Sequence, residues 1–384
     1  MPHVAISEGI PVELAAPRAA TSSVSMRVVT PAEWDETIAD FDGACQEQLA
    51  TFALARWPGV ALEPQVFVRN GEIVGGCLIM VQPLPLRLGS VAVAKWAPML
   101  RRNGTPDADR IYSQIVDALT AEYADRRRMM LSILPRASLE AENAEYAHLA
   151  GRGFREGSSL LFPNRYIVNL RLSDAEQRSS FHQKWRYHLN KSDKAGLRFE
   201  HAPADRLADF TRLYEQMVDR KKFPDHSAYD TVAALMTMAN ETLRPELFFV
   251  WHGDELVAGA VIFKAGDRAV YLYGATTAAA LDLRAGYFLH WHIIRWLRDN
   301  TRASWYDLGG TDGFHGLHQF KKGMVGDRGV ISPVPPVANY ARHWWPRLMG
   351  ECAFAARGAI QALARYVDRL RPDRAKPDQK RSDD

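Results

Sequence analysis

The sequence has little cysteine, little surplus charge and no long apolar run. Its three cysteines, Cys45, Cys77 and Cys352, are scattered through 384 residues. Neither a disulfide framework nor a zinc-type spacing can be read from them, and a reducing compartment is expected. Lys plus Arg numbers 48 and Asp plus Glu 45, a net charge of +3. That excludes whole-chain attraction to nucleic acid; any basic surface must be local, and DNA is not an expected partner. No stretch approaches the roughly 18 uncharged apolar residues of a spanning helix. The N-terminal stretch through Ser25 lacks a basic n-region and an unbroken apolar h-region. The expectation is a cytoplasmic protein, at most peripheral at the inner face of the membrane. What is present is ordinary: 47% apolar and 24% charged residues, which excludes wholesale disorder. The length suggests two or three domains of about 150 residues each.

The chain carries an internal duplication. Residues 66–80 and 248–263 each read as strand, tight turn, strand, with Asn70-Gly71 and Gly253-Asp254 as turn chemistry. Gly76 and Gly259 fall at matching places in the second strand of each pair, where glycine marks a bulge or a close approach. Each hairpin is followed by a strand (90–96 and 269–275), a helix (110–127 and 287–300) and a closing strand (129–134 and 304–308). Each is preceded by a mostly helical stretch (31–57 and 204–243). Between the copies, residues 162–172 read as a strand and 175–195 as one helix. The order of helix, antiparallel strands, helix and strand, given twice, is that of the acetyltransferase fold of the GNAT superfamily. The fold class expected is α+β: two tandem GNAT domains with mixed, mostly antiparallel sheets flanked by helices, plus a C-terminal amphipathic helix. The expected divisions are a loose tail over 1–25, a first domain over 26–172, a second, catalytic one over 173–340, the amphipathic helix over 341–371 and a disordered tail over 372–384.

Several motifs then resemble the Fem (FemABX) peptidyltransferases, tandem GNAT-fold enzymes that add amino acids to cell-wall precursors. They are the basic stretch from Lys184 to Leu197, Tyr271-Leu-Tyr-Gly-Ala275, Tyr306-Asp-Leu-Gly-Gly310, and the Phe320-Lys321-Lys322 run. In the first copy, Lys95-Trp-Ala-Pro-Met99 stands where the family has a Pro-bearing loop, which makes Trp96 a substrate-contact candidate. The resemblance covers about residues 26–340. It implies transfer of an aminoacyl or acyl group onto an amine of an envelope precursor, such as a peptidoglycan or polysaccharide intermediate, without a tightly bound cofactor. An acyl-CoA-dependent N-acyltransferase acting on a surface sugar or lipid is the alternative, and a catalytically inactive pair binding a phosphate-bearing ligand is a third.

In such chemistry an amine attacks an acyl carbonyl directly, so a site must position two substrates, take up a proton and stabilise an oxyanion. The resemblance assigns Lys321 to the substrate phosphate and reacting centre; the bland reading is a solvated lysine pair at a helix end. The basic helix buries Phe181, Trp185 and Leu189 at four-residue spacing and leaves Arg186 and Lys191 as phosphate or tRNA contacts, or as a plain charged surface. Tyr271 and Tyr273 alternate with Val270 and Leu272, which predicts that the tyrosines share one face of the sheet, for a proton or substrate contact or for packing. The loop after the closing strand offers Gly310 for close backbone approach and Asp312 as the nearest carboxylate, with Asx-turn chemistry as the competing account. Asp312, His315 and His318 are spaced by three, a metal pattern that the turn glycines disfavour, and no metal is expected.

A coenzyme A pyrophosphate loop would lie between the central strand and its helix. Residues 276–287 hold Arg284 and Gly286 at the wrong spacing, and the first copy has Arg101-Arg-Asn-Gly-Thr-Pro106 with proline in place of a small residue. The deficit disfavours a small acyl-CoA, and the family resemblance then implies aminoacyl-tRNA as the leading co-substrate, with acyl-CoA second. From Trp345 onward apolar residues recur every three or four positions, opposite Arg342, Arg347, Arg357, Arg365 and Arg369. This helix docks either on protein or on an anionic membrane surface, where a lipid-linked acceptor would reside.

Overall fold

The computed structural model describes residues 23–221 and 228–370. The terminal tails expected from the sequence lie outside the described residues, apart from residues 23–25, and Ser25 already opens a strand. Among the described residues the strands are β1 (Ser25–Val28), β2 (Ala61–Arg69), β3 (Glu72–Pro83), β4 (Ser90–Lys95), β5 (Met99–Leu100), β6 (Met130–Leu134), β7 (Arg155–Glu156), β8 (Asn164–Asn169), β9 (Leu197–Ala202), β10 (Glu246–His252), β11 (Glu255–Phe263), β12 (Arg268–Thr276), β13 (Trp305–Asp307), β14 (Val330–Pro333) and β15 (Ala338–Tyr340). They form two sheets flanked by helices. The first runs β1-β2-β3-β4-β6-β15-β7, with β5 against β3; the second runs β14-β8-β13-β12-β11-β10-β9.

The duplication is structural as well as sequential. Both hairpins close on positive-φ residues, Asn70 and Gly71 in one and Gly253 in the other, as tight turns between right-twisted strands require. Each hairpin carries a register shift at the same place, after Phe67 and after Val250. Each sheet has one parallel pair, β4 with β6 and β12 with β13, and in each case a helix makes the crossover. Gly76 and Gly259 are explained by packing. A Cβ at Gly76 would strike the Trp34 ring, and one at Gly259 would come within 3.1 Å of the Phe210 ring. In both copies the preceding helical stretch lays an aromatic ring on that bare backbone.

Two segments cross between the sheets. β8 lies before the 172/173 division yet pairs with β13 and β14 in the second sheet. β15, near residue 340, returns to the first sheet between β6 and β7. There Ser132 Oγ donates to Asn339 Oδ1 at 2.7 Å, both side chains being buried. The halves also share a core in which Trp34, Phe41 and Leu49 meet Leu243, Phe263 and Val270. No helix among the described residues is long and apolar enough to cross a membrane.

The single helix expected over 175–195 is two helices, Asp174–Ser180 and Gln183–Ser192. Phe181 is extended between them, with ψ 147°, and its buried ring packs 4.3 Å from Trp185 and 6.0 Å from Trp291. The break frees backbone groups that lock onto the end of the helix His315–Val325. His182 N–H donates to Gly323 O at 2.9 Å, and Asp327 N–H donates to Ser180 O at 3.0 Å. The chain thereby fixes the helix that carries Lys321 against the basic segment.

Candidate active site

The parallel pairing of β12 with β13 lasts three residues, from Arg268 opposite Trp305 to Val270 opposite Asp307. Beyond that the strands part. β12 continues to Thr276 on β11 alone, and the chain after Asp307 turns into the loop 308–313. Lys321 reaches this fork from the helix His315–Val325. Its side chain is 5% exposed. Nζ donates to Leu308 O at 2.6 Å and to Gly310 O at 2.5 Å, and it lies 5.7 Å from the Tyr271 ring centroid. An ammonium has three donors, and two are used here. Burial, with the charge of Arg165 adding to it, pushes Lys321 down to about 8, against the opposing pull of Asp307 and Asp312. It is still mainly cationic at neutral pH.

Around it lies a buried polar set. Arg165 on β8 donates Nε to both carboxylate oxygens of Asp307 at 3.1 Å. Asp307 Oδ1 also accepts Gly309 N–H at 2.9 Å, which fixes the turn whose neighbouring carbonyls hold Lys321. Burial would raise the Asp307 carboxyl, but Arg165 and this N–H outweigh it and hold the group below the ordinary carboxylate range. His290 is buried behind Lys321, and burial together with the Lys321 charge lowers it to about 3. It is neutral, and its Nδ1 lies 3.2 Å from the Tyr306 hydroxyl.

The first half of the chain contributes Trp96, which has φ 57° and whose ring faces the Arg165 guanidinium at 5.7 Å. Lys95 pairs with Glu47 beside it. Glu47, Trp96, Arg165, Arg268 and Asp307 line a small cleft of about 30 Å³ between the two halves, room for one water molecule. A larger open cleft of about 400 Å³ lies on the other side of the loop, walled by Phe162, Tyr166, Thr311, Gly313, Phe314 and His318. Within it the Tyr166 hydroxyl and His318 Nδ1 are 2.5 Å apart.

The structure thus gathers Lys321, Tyr271, Gly310 and Trp96 around one loop. It separates Tyr273, Arg186 and Lys191 from them, while Asp312 stays within electrostatic reach of Lys321. Asp312 sits in the same loop at φ 49° with its carboxylate exposed. Tyr273 does not share a face with Tyr271. Val261 pairs with Tyr273 and Ile262 with Tyr271, so Leu272 is an extra residue and the alternation slips there. Tyr271 joins the core under the helix Ala285–Asn300, while Tyr273 packs on the opposite face with Tyr214 and Tyr229. Arg186 donates to Ser179 O at 2.7 Å and Phe181 O at 2.5 Å, satisfying the carbonyls exposed by the helix break. Lys191 is exposed. Arg101 and Arg102 both bond Asp40, which ties the phosphate-loop-like segment of the first copy to its own domain. Among the described residues no cluster of three or more His, Cys, Asp or Glu is arranged to hold a metal ion.

Sequence reasoning missed Arg165, Asp307 and Tyr166. The available signal was a carboxylate between Tyr306 and Leu308 in an apolar strand, a residue type depleted there. His318 was noticed only as a metal-ligand candidate; its ring nitrogen instead meets a tyrosine hydroxyl.

Residues 179–322, which contain the fork, the loop and Lys321, match the family model described as an acetyltransferase (GNAT) domain. The structure of FemX superposes with TM-score 0.66 at 17% identity, covering 83% of this chain and 97% of that one. This is a Fem-like tandem GNAT fold. A conserved protein of unknown function from Bacteroides thetaiotaomicron VPI-5482 shares the tandem GNAT arrangement with TM-score 0.54 at 13% identity, covering 83% of this chain and 98% of that one. No curated protein matches the sequence significantly. In tandem GNAT terms the family model falls on the second copy, and the first copy supplies Trp96 and Glu47 to the wall between them.

Proposed function

We propose that this protein is an acyltransferase that moves an aminoacyl group onto an amine of a cell-envelope precursor. The reading rests on Lys321, a buried ammonium with two donors fixed on backbone carbonyls and the third left over, at the fork of β12 and β13. Such a preorganised cation offsets charge developing on an acyl carbonyl oxygen as the amine attacks. The new N–C bond forms as the C–O bond of the ester breaks, and the leaving hydroxyl takes a proton. The amine loses its proton to a group in the 400 Å³ cleft, where the Tyr166–His318 pair is the available acceptor. The likeness to FemX supports the fold, and the envelope acceptor is the proposal's own step.

One observation favours acyl-CoA as donor. The sixteen-residue helix Ala285–Asn300 begins without a side-chain cap, next to Arg284 at φ 57°. The Arg284 Nε is buried without a hydrogen-bond partner. A helix N-terminus beside an arginine with an unpartnered Nε suits a phosphate. Calorimetric titration with acetyl-CoA separates the readings. Saturable micromolar binding that weakens in Arg284→Ala assigns the donor to acyl-CoA. No heat with acetyl-CoA, combined with transfer from charged tRNA to a muropeptide amine, supports the aminoacyl reading. No transfer from either donor to any amine acceptor would overturn the proposal.

The fork gives a further expectation. A Cβ at Gly274 would collide with the Tyr271 hydroxyl. Gly274→Ala should therefore move the Tyr271 ring off Lys321 and lower turnover about 10- to 100-fold, the scale of a misplaced catalytic shell. A circular dichroism spectrum like that of the parent would show that the fold is kept.

A further inference from the structure

The C-terminal helix, Trp344–Leu370, docks on the first domain by the face that carries few of its apolar residues. Arg347 donates to Ala341 O at 2.9 Å. Gly350 lies tight against Met130, and Phe354 joins a small cluster with Val91, Met130 and Ala341. These contacts are spaced by three and four, which defines one helical face. Trp344, Leu348, Cys352, Ala355, Ala359 and Leu363 recur at the same spacing on the opposite face. There Trp344 is 70% exposed, Leu348 43% and Leu363 62%, with Trp345 at 43% and Ile360 at 68% on the flank.

An apolar stripe turned outward along several turns of one helix needs a partner, because scattered single residues would not form a line. Three features choose the partner. Two tryptophans stand at one end, the residue type that prefers a lipid–water boundary. The charged residues of segment 342–369 are five arginines against Glu351 and Asp368. The neighbouring loop, whose Leu84 packs in the same cluster as Phe354, adds Leu86 at 90% exposure beside Arg87. We infer that this face rests on an anionic lipid bilayer, with the apolar stripe in the headgroup–acyl boundary and the basic residues other than the docked Arg347 at the level of the phosphates. The inference does not depend on the acyl donor or on the reaction proposed above.

Cys352 lies in the middle of the stripe and is exposed, whereas Cys45 and Cys77 are buried. An environment-sensitive thiol label will therefore report from the stripe itself. The full chain is mixed with phosphatidylglycerol–phosphatidylcholine vesicles and with phosphatidylcholine vesicles alone. The expected result is a blue shift of the label and co-sedimentation of the unlabelled protein with the anionic vesicles, weakened by salt. Trp344→Ala with Trp345→Ala should cut the vesicle affinity at least tenfold while thermal unfolding stays unchanged, since both side chains are exposed. Failure to bind anionic vesicles would overturn the inference, as would binding that is indifferent to the tryptophan pair. A Cys352–Cys352 cross-link forming in solution without vesicle binding would assign the stripe to a second copy instead.

Discussion

Replacing Lys321 by methionine is expected to lower turnover about 10²- to 10³-fold, the range for removing one preorganised donor at a developing oxyanion. Methionine keeps the volume of the stem and removes only the cation. Arginine should not rescue the loss, because a planar guanidinium does not fit between Leu308 O and Gly310 O as a point ammonium does. The wild-type rate should fall as pH rises through about 8, where the buried ammonium deprotonates. Stability moves the other way. The unfolded lysine titrates near pH 10.4. Between about pH 8 and that value the unfolded chain holds a proton that the folded chain lacks, so this group's contribution to stability rises with pH across the window. The methionine variant should lose both pH effects. Steady-state rates and urea melts from pH 6 to 10 measure them, and a variant with unimpaired turnover would remove Lys321 from the chemistry.

Asp307→Ala should cost about 3–5 kcal/mol of stability, the range for removing one partner of a buried ion pair. The pair is well enclosed: the Asp307 side chain is 10% exposed and that of Arg165 23%. Without the carboxylate, the Arg165 guanidinium loses both of its hydrogen bonds to Asp307, and Gly309 N–H loses its acceptor. Because the folded carboxyl titrates below its ordinary range, its stabilisation is in full force above about pH 4, the unfolded value. It fades as pH falls through the depressed folded value. The parent and the variant should therefore converge in acid. Urea unfolding at pH 7 and at pH 3 tests both halves, and equal stability at pH 7 would show the pair to be unimportant.

Local pattern carried most of what could be read in advance. The hairpins were legible because two-residue alternation and turn residues are written within a dozen positions. The helix 285–300 and the buried stripe Phe181, Trp185 and Leu189 were legible because their spacing is periodic. Lys321 was singled out through the family resemblance, since nothing local distinguishes it from the exposed Lys322 beside it. The errors arose where a partner distant in sequence overrides the period. The slip at Leu272 depends on the register of β11, so the two tyrosines were put on one face. The break at Phe181 depends on carbonyl and N–H groups of residues 323 and 327. Arg165 and Asp307 lie 142 positions apart, and neither strand by itself announces the other.

The return of β15 to the first sheet has a consequence for synthesis. Ser132 and Asn339 are separated by 207 residues, yet they meet in one row of the sheet. While the ribosome is still making the second domain, β6 has an open edge. At about 5–20 residues per second the edge waits about 10–40 seconds for its neighbour to leave the exit tunnel. The first domain emerges first and is completed last. A nascent chain stalled before residue 338 would expose the Met130–Leu134 edge to any strand that passes, which is the interval in which a chaperone has something to hold.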